Sequence, residues 1–277
     1  MSRTRRPIAG RAVAITGGAR GIGAAIAAAL TARGARVAIG DLDADAAAAT
    51  ARRVGGGAVG LALDVTDSDS FATFLAAAEQ AHGALDVLVN NAGIMWVGPF
   101  DEEPEATALA QFDVNLHGTI RGMKLALPAM RARGRGHVVN VASSASKVLP
   151  RGEATYAATK HAVYGYTAIV RDELRGSGVD VSVVMPVIVE TELAVGTTSG
   201  WSPRLTPEQV AEAVVDALER PRFEVWVPRS LGALVRVNAL VGQRARDLMN
   251  RLLIPDQARR ADRGARADYE ARRLPGR

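Results

Sequence analysis

The apolar residues of this 277-residue chain fall into two recurring patterns. Short apolar or β-branched runs of strand length suit strands that are buried on both faces of a sheet. Ala-rich or amphipathic stretches of helical length lie between these runs. Because strand and helix alternate with short connections, the pattern predicts an α/β fold. This fold is a single doubly wound domain, a mostly parallel sheet of about seven strands with helices on both faces.

The predicted elements cover most of the chain. The strands are predicted over Ala12–Ile15, Arg36–Ile39, Ala58–Leu63, Val87–Val89, His137–Val141, Val181–Met185 and Glu224–Val227. The helices are predicted over Ile22–Arg33, Ala44–Arg53, Ser68–His82, Glu105–Arg133, Thr155–Arg175 and Pro207–Arg220. The start of the last helix is well marked, because Thr206 can cap it, Pro207 fits the first helical position and Gln209 completes a capping box.

The composition excludes several kinds of protein and site. The chain contains no cysteine, which excludes a disulfide framework, a thiolate metal site and a cysteine nucleophile. No apolar run reaches the roughly eighteen residues of a membrane span, and Ala12–Ile15 is too short for the core of a signal peptide. We therefore expect a cytoplasmic protein. The histidines and carboxylates form no metal-like pattern, so we predict no metal site.

The formal net charge of +5 lies mainly at the C-terminal end of the chain. From Arg229 to Arg277, twelve arginines face five acidic residues. The rest of the chain is nearly balanced and has no basic helix of the type that reads DNA. Because an arginine-rich tail is more often a solvated surface, we predict no nucleic-acid partner.

A glycine-rich segment from Thr16 to Gly23 joins the first predicted strand to the first predicted helix. Glycines let the backbone approach a pyrophosphate closely, and the N–H groups that open a helix attract an anion. The spacing differs from the G-x-G-x-x-G fingerprint, and a plain flexible turn is the alternative. The strand, loop and helix context favours phosphate binding.

Two residues bear on the choice between NAD and NADP. Asp41 ends the second predicted strand eighteen residues after Gly23, where a carboxylate is expected to accept hydrogen bonds from the adenine ribose. The same carboxylate would repel the additional phosphate of NADP, whereas Arg20 would neutralise it. We give Asp41 more weight and expect NAD, with NADP as the alternative. Asp41 can also be interpreted as a cap for the helix that starts near Ala44.

Tyr156 and Lys160 lie four residues apart on a predicted helix and therefore share one face. An ammonium near a phenol lowers its pKa, which suits a tyrosine that donates or accepts a substrate proton. An ordinary exposed pair has the same spacing. However, the chain has only three lysines among 34 basic residues, so a lysine one turn after Tyr156 suggests a need for a compact ammonium.

Ser143 follows the fifth predicted strand, at the edge of the sheet where doubly wound folds bind ligands. Its hydroxyl can polarise a carbonyl. Alternatively, it caps the turn in Ser143-Ser144-Ala145-Ser146.

Together these residues resemble the short-chain dehydrogenase/reductase family over roughly Arg11 to Glu219. Thr16, Gly17, Gly21 and Gly23 match its T-G-x-x-x-G-x-G pattern, Asn90-Asn91-Ala92-Gly93 matches N-N-A-G, and Asp64-Val65 resembles its adenine-contacting pair. The resemblance implies a catalytic tetrad of Asn115, Ser143, Tyr156 and Lys160. It implies cofactor contacts from Thr16, Gly17, Arg20, Gly21, Ile22, Gly23, Asp41, Asp64, Val65, Asn91, Ala92, Gly93, Tyr156, Lys160, Pro186, Val189 and Thr191.

The resemblance also implies roles for the four catalytic residues and an oligomeric assembly, and one position departs from the family pattern. Asn115 would hold a water beside Lys160, Ser143 would orient the substrate oxygen, and Tyr156 would exchange the proton as hydride moves. A homo-oligomer, dimer or tetramer, is implied, with Glu105–Arg133 and Thr155–Arg175 between subunits. The family usually has Pro-Gly after the sixth strand, whereas Val187 follows Pro186 here. A β-branched residue disfavours positive φ, so this loop must differ or the glycine is dispensable.

We expect residues 1–228 to form a Rossmann-type dinucleotide-binding and catalytic domain, with a substrate lid at about 190–206, and residues 229–277 to form a basic helical extension and tail. Apolar residues at helical spacing between Leu231 and Leu253 are interrupted by Gly242. This segment is interpreted as a lid or subunit contact, or as an amphipathic helix in peripheral contact with anionic lipid. Beyond about Pro255 we expect a disordered tail.

The segments expected around the substrate are apolar: Ile94-Met95-Trp96, Val148-Leu149 and Leu193 to Trp201. They favour an oxidoreductase acting on a lipophilic secondary alcohol or ketone, such as a steroid, terpenoid or retinoid, unless they are core or subunit contacts. The alternative enzyme is an NADPH-dependent reductase of carrier-bound 3-oxoacyl chains, suggested by Arg20 and the basic surface. A non-catalytic binding protein is a third hypothesis, which the complete tetrad disfavours.

Overall fold

The computed structural model describes residues 5–200 and 204–275. Their strands form one seven-stranded sheet in the order β3-β2-β1-β4-β5-β6-β7, and all neighbouring strands are parallel. The strands are β1 (Ala12–Thr16), β2 (Arg36–Asp41), β3 (Val59–Ala62), β4 (Val87–Asn90), β5 (Gly136–Val141), β6 (Val179–Pro186) and β7 (Glu224–Val227). The predicted doubly wound α/β fold is confirmed, because the strand order reverses direction between β1 and β4.

Helices connect the strands on both faces of the sheet. They are α1 (Gly21–Thr31), α2 (Ala44–Val54), α3 (Ser68–His82), α4 (Glu105–Gln111), α5 (Gly118–Ala132), α6 (Ala154–Glu173), α7 (Pro207–Glu219), α8 (Arg229–Leu240), α9 (Gln243–Leu253), α10 (Gln257–Arg260) and α11 (Arg263–Arg273). The capping box predicted at Thr206 is present, since Thr206 Oγ1 accepts from Gln209 N and Gln209 Oε1 accepts from Thr206 N.

The alternation of side chains along β1 separates two cores. Val13 and Ile15 are buried on the face covered by α1 and α7, where they pack with Ile26 and Leu30. Ala14 faces the opposite layer, with the aromatic rings of α3 and the methionines of α5. Apolar side chains cover both faces of the central strands. Residues of these strands can therefore meet a ligand at the carboxyl ends of the strands.

The long helix predicted over Glu105–Arg133 is not one continuous α-helix. A π-helical segment, Phe112–His117, separates α4 from α5. Asn115 is the buried residue of this segment. A π-helical turn adds a residue to the helical repeat and thereby changes the direction of a side chain, and such turns are frequent at functional sites.

The C-terminal segment also differs from the prediction. The apolar stretch Leu231–Leu253 forms two helices, α8 and α9, and the expected break at Gly242 lies between them. The disorder expected beyond Pro255 is wrong, because α10 and α11 follow. Apolar periodicity could not reveal α11, since its one deeply buried cation, Arg266, is indistinguishable in sequence from the exposed arginines around it.

Arg266 anchors α11 to the body of the molecule. Its side chain is fully buried and pairs with Glu270 at 3.2 Å. Its remaining N–H groups donate to the carbonyl oxygens of Leu193, Val195 and Met95 at 3.1, 2.9 and 2.7 Å. A buried guanidinium needs this many acceptors to offset its desolvation, and they fix the position of α11 over the loops after β4 and β6.

We expect Arg266→Met to lower the free energy of unfolding by about 3–5 kcal/mol, because Glu270 and three carbonyl groups lose their buried partner. Urea unfolding measures the loss. The matched control on the same helix is Arg263→Met, which removes an exposed ion pair with Glu102 and should cost less than about 1 kcal/mol. Equal losses for the two variants would contradict the anchoring role of Arg266.

Candidate active site

The glycine loop after β1 is closed by the segment that follows β4. Thr16 Oγ1 accepts hydrogen bonds from Asn91 N at 3.0 Å and Ala92 N at 3.1 Å. Asn91 Nδ2 in turn donates to the carbonyl oxygens of Thr16 and Gly17. A Cβ on Gly23 would lie 2.3 Å from the Gly17 carbonyl oxygen and 2.7 Å from Asn91 Nδ2, so only glycine fits there. These contacts hold the first turn of α1 open toward the cavity.

No side chain caps the first turn of α1, which begins at Gly21. Its N–H groups therefore point into the cavity beside the loop, an arrangement that suits a phosphate or pyrophosphate. Gly17, Gly21 and Ile22 line this part of the cavity.

Carboxylates dominate the region at the end of β2. Asp41 is buried, and its Oδ2 and Oδ1 accept hydrogen bonds from Ala19 N at 3.0 Å and Asp43 N at 3.2 Å. Arg20 Nη2 donates to Asp43 Oδ2 at 2.7 Å, and Arg20 also lies 3.7 Å from Glu192. Arg20 is thus neutralised by carboxylates. The cap of α2 is Asp43, not Asp41, since Asp43 Oδ1 accepts from Ala46 N.

The four predicted catalytic residues converge where β5, α6 and the π-helical segment meet. The Ser143 hydroxyl is near enough to the Tyr156 phenol to oppose the rise of its pKa. Lys160 Nζ lies 5.5 Å from the centroid of the Tyr156 ring and donates to the Val141 carbonyl oxygen at 3.3 Å. Ser143 Oγ accepts from Ala145 N, so it caps the following turn.

Asn115 lies behind this group and holds the loop after β4. Its Oδ1 accepts from Ile94 N at 2.8 Å, and its Nδ2 donates to the Ile94 carbonyl oxygen and to Thr159 Oγ1. A Cβ on Gly93 would lie 3.2 Å from Asn115 Oδ1 and 3.6 Å from Lys160 Nζ. The glycine of the Asn-Asn-Ala-Gly segment thereby leaves room for both polar groups.

Burial controls the acidity of the central residues. It raises the pKa of Tyr156 well above its usual range; the nearby Glu153 carboxyl acts in the same direction, and the Ser143 hydroxyl opposes both. Burial lowers the pKa of Lys160 to about 8. The lowering of the phenol pKa expected from Lys160 stays a prediction, since burial is the largest cause of the shift of Tyr156. The phenol is protonated at neutral pH.

A cavity of about 1040 Å³ connects these two regions. Most of the predicted cofactor contacts line it: Gly17, Arg20, Gly21, Ile22, Asp41, Asp64, Val65, Asn91, Ala92, Gly93, Tyr156, Lys160, Pro186, Val189 and Thr191. Thr16, Gly23 and Asn115 do not line it, and they act by positioning the residues that do. Asp64 Oδ1 accepts from Thr66 N and Thr66 Oγ1, which fixes the turn after β3.

Comparison with known proteins agrees with this geometry. Residues 11–200 match the family model described as short chain dehydrogenase. The chain belongs to the short-chain dehydrogenase/reductase family. This family consists of oxidoreductases, and the fold and the recognition made from the sequence are confirmed.

The names of individual relatives of this short-chain dehydrogenase state different activities. The chain is 34% identical over 248 residues to the ketoacyl reductase HetN of Nostoc sp., covering 85% of each chain. It is 40% identical over 187 residues to a sorbitol dehydrogenase of Cereibacter sphaeroides, covering 66% of this chain and 72% of that one. A solved short chain dehydrogenase/reductase from Burkholderia phymatum, in complex with NAD, is 27% identical with a TM-score of 0.77, over 84% of this chain and 94% of that one.

The departure at Val187 does not distort the loop. No non-glycine residue in the described ranges has a positive φ, and Val187 N donates to the Val227 carbonyl oxygen at 3.0 Å. Val187 thus continues the pairing of β6 with β7 past Pro186, and a glycine is dispensable here. Three residues of the predicted lid, 201–203, lie outside the described ranges.

Several cavity residues of this short-chain dehydrogenase were not predicted from its sequence. Glu153, Gln257, Tyr269 and Arg273 all line the cavity. Tyr269 OH accepts from Met95 N at 3.1 Å, and Gln257 bridges Thr198 through both its amide atoms. Three of these residues lie in the C-terminal segment, which has no motif that would identify them. Glu153 could have been identified from the sequence, since a residue three positions before Tyr156 lies about one helical turn away on the same face.

In residues 5–200 and 204–275, no group of three histidines, cysteines or carboxylates is placed to hold a metal ion. Within the same ranges, no helix is long and apolar enough to cross a membrane.

We expect Asn115→Ala to reduce the free energy of unfolding by about 2–4 kcal/mol, because the backbone N–H and carbonyl of Ile94 lose their partner. Chemical denaturation measures this. Asp113→Ala is the control, since Asp113 is an exposed residue of the same π-helical segment, and it should stay within about 0.5 kcal/mol of the wild type. A similar stability of the two variants would show that Asn115 does not hold the loop.

Proposed function

We propose that this short-chain dehydrogenase transfers a hydride between NAD and a secondary alcohol or ketone carried on an apolar body. The observation that carries the proposal is the buried Tyr156, one helical turn before Lys160, which lines with Ser143 the wall of a cavity that continues to the glycine loop. The predicted tetrad and its proton transfer are part of this proposal.

The residues present fit a dinucleotide. Gly23 allows the close packing that keeps the first turn of α1 accessible, and its N–H groups suit a pyrophosphate. Asp41 has an acceptor lone pair on each oxygen beyond those used by Ala19 N and Asp43 N, which suits ribose hydroxyl groups. When bound, the nicotinamide supplies the acceptor or donor of the hydride.

The chain's own residues manage the proton. In ketone reduction, the protonated Tyr156 hydroxyl donates its proton to the substrate oxygen, and Ser143 holds that oxygen by a hydrogen bond. In alcohol oxidation, Tyr156 accepts the proton in the reverse step. Lys160 is an ammonium at neutral pH despite its lowered pKa, and its charge stabilises the phenolate that forms during turnover.

The charges around Arg20 support NAD over NADP. Asp41, Asp43 and Glu192 surround this arginine, and it already pairs with two of them. An additional phosphate beside Asp41 would meet a carboxylate whose position is fixed by two backbone N–H groups. The like-charge contact would oppose NADP binding.

The walls around the reactive end support an apolar substrate body. Ile94, Met95, Val148, Leu193 and Leu231 line the cavity, and Met95 and Leu193 pack in one cluster with Tyr156. This favours a steroid-, terpenoid- or retinoid-like alcohol over a sugar. The second candidate is a reductase of carrier-bound 3-oxoacyl chains, which the name of the ketoacyl reductase relative favours.

Two partner hypotheses stay predictions. Leu109, Leu125 and Ile169 are exposed on the helices expected to lie between subunits. Leu240 and Leu252, on α8 and α9, are also exposed, and peripheral contact with a membrane is predicted there.

We expect Tyr156→Phe to lower kcat for alcohol oxidation by about 10²–10⁴-fold, because the variant cannot exchange the proton. Absorbance of the reduced cofactor measures the rate. Tyr164→Phe is the matched control on the same helix, since the Tyr164 hydroxyl bonds Glu224 away from the cavity. Unchanged turnover in Tyr156→Phe would refute the mechanism, and a general loss in both variants would point to misfolding.

We expect Asp41→Asn to lower the preference for NAD over NADP, expressed as a ratio of kcat/KM values, by about tenfold or more. The amide removes the negative charge and keeps one acceptor oxygen. Asp45→Asn, an exposed change in the first turn of α2, should leave the ratio unaltered. A wild-type enzyme that prefers NADPH would overturn the cofactor assignment and favour the 3-oxoacyl reductase.

A further inference from the structure

Glu153 contributes a carboxyl group to the wall of the cavity. The residue is 7% exposed, and it precedes α6 without capping it. Within residues 5–200 and 204–275, its carboxyl takes part in no hydrogen bond. Buried polar side chains are nearly always hydrogen-bonded, so a carboxyl without a partner at a cavity wall indicates a ligand group that completes it.

Tyr269 provides an unused donor in the same cavity. It is 4% exposed, and its oxygen accepts a hydrogen bond from Met95 N at 3.1 Å. This contact uses a lone pair and leaves the hydroxyl hydrogen for another acceptor. No described residue accepts it. The phenol is held in place by Arg266, whose guanidinium carbon lies 5.2 Å from the ring centroid.

Both groups face the reactive tyrosine. Glu153 precedes Tyr156 by one helical turn, and the charges of Glu153 and Tyr269 both act on the Tyr156 phenol. Burial raises the pKa of Glu153 to about 7, and the charge of Arg266 opposes this. Arg266 does not satisfy Glu153 by hydrogen bonding, since its N–H groups contact Glu270 and three backbone carbonyls.

An acceptor and a donor in one cavity select the ligand group. A hydroxyl donates to Glu153 and accepts from Tyr269, so it satisfies both. An ammonium would leave the Tyr269 hydrogen unused and would lie near the Arg266 charge, whereas a carbonyl would leave the ionised form of Glu153 without a donor. Tyr269 bonds Met95, which packs with Tyr156, and Glu153 precedes Tyr156 by three residues, so a hydroxyl bound by both groups lies near the reacting carbon.

We propose, on the basis of the function proposed above, that Glu153 and Tyr269 form a subsite for a second hydroxyl group on the carbon next to the reacting one. The substrate class is then a vicinal diol or the corresponding α-hydroxyketone on an apolar body. Glu153 and Tyr269 determine this specificity by touching the substrate, and the proton transfer remains with Tyr156.

The test compares matched substrates in the full-length enzyme with NAD. The pairs are cyclohexanol with trans-1,2-cyclohexanediol, and 2-octanol with 2,3-octanediol. The measured quantity is the ratio of kcat/KM for the diol to kcat/KM for the monoalcohol. Because both members of a pair use Tyr156, an effect of the substitution on folding or on the tyrosine cancels in this ratio.

We expect the wild type to prefer the diol in at least one pair. Glu153→Leu and Tyr269→Phe should each reduce the ratio by about tenfold, since each leaves the second hydroxyl with one partner fewer. Glu153→Gln keeps an acceptor oxygen and should retain most of the preference, a rescue that a purely structural role would not produce. Tyr164→Phe is the control for loss of a phenol outside the cavity.

The outcomes separate this subsite from the proposed function. If the alcohols are oxidised but the wild-type ratio is one or less, or if Glu153→Leu keeps the wild-type ratio, the subsite is wrong and the proposed function stands. If the wild type oxidises none of these alcohols, nor reduces the matching ketones, with either NAD or NADP, the proposed function fails, and the subsite fails with it.

Discussion

One chain of hydrogen bonds joins the glycine loop to the helix that carries Tyr156. Thr16 and Asn91 bind the segment after β4 to the loop after β1. Asn115 then clamps both backbone polar groups of Ile94 and donates to Thr159, whose hydroxyl bonds the Tyr156 carbonyl oxygen. Buried polar groups must be paired, so these bonds cannot be broken one at a time without cost. The loop suited to phosphates and Tyr156 therefore keep a fixed separation.

The burial that strengthens these hydrogen bonds also shifts the pKa values of Tyr156 and Lys160. Tyr156 and Lys160 are removed from solvent, which raises the pKa of the phenol and lowers that of the ammonium. Both shifts disfavour the charged forms, so the phenolate forms least readily in the resting site. In the proposed reaction, the ammonium and the Ser143 hydroxyl stabilise the site most when a proton has left the tyrosine, which is the state that catalysis needs to stabilise.

The C-terminal segment turns a general dinucleotide fold into a specific cavity. Arg266 ties α11 to three loop carbonyls, and Tyr269 reaches Met95 beside the reactive end. The other arginines on and near α11 are more exposed, and the buried Arg266 fixes the position of the helix. A catalytic domain that ended at residue 228 would lack Gln257, Tyr269 and Arg273 from the wall of the cavity.

The sequence by itself determined the doubly wound sheet and the glycine loop, and it selected the four residues proposed for catalysis, because apolar periodicity and short motifs are local properties of the chain. The helix boundaries at Thr206 and Ser68 were predictable for the same reason. Tertiary structure alone decided the π-helical turn at Asn115, the neutralisation of Arg20 by two carboxylates, and the burial of Tyr156 that raises its pKa. It also decided the position of α11 and the place of the Glu153 carboxyl at the cavity wall. Each of these depends on burial and on partners distant in sequence, and no pattern along the chain records which arginine or carboxyl loses its water.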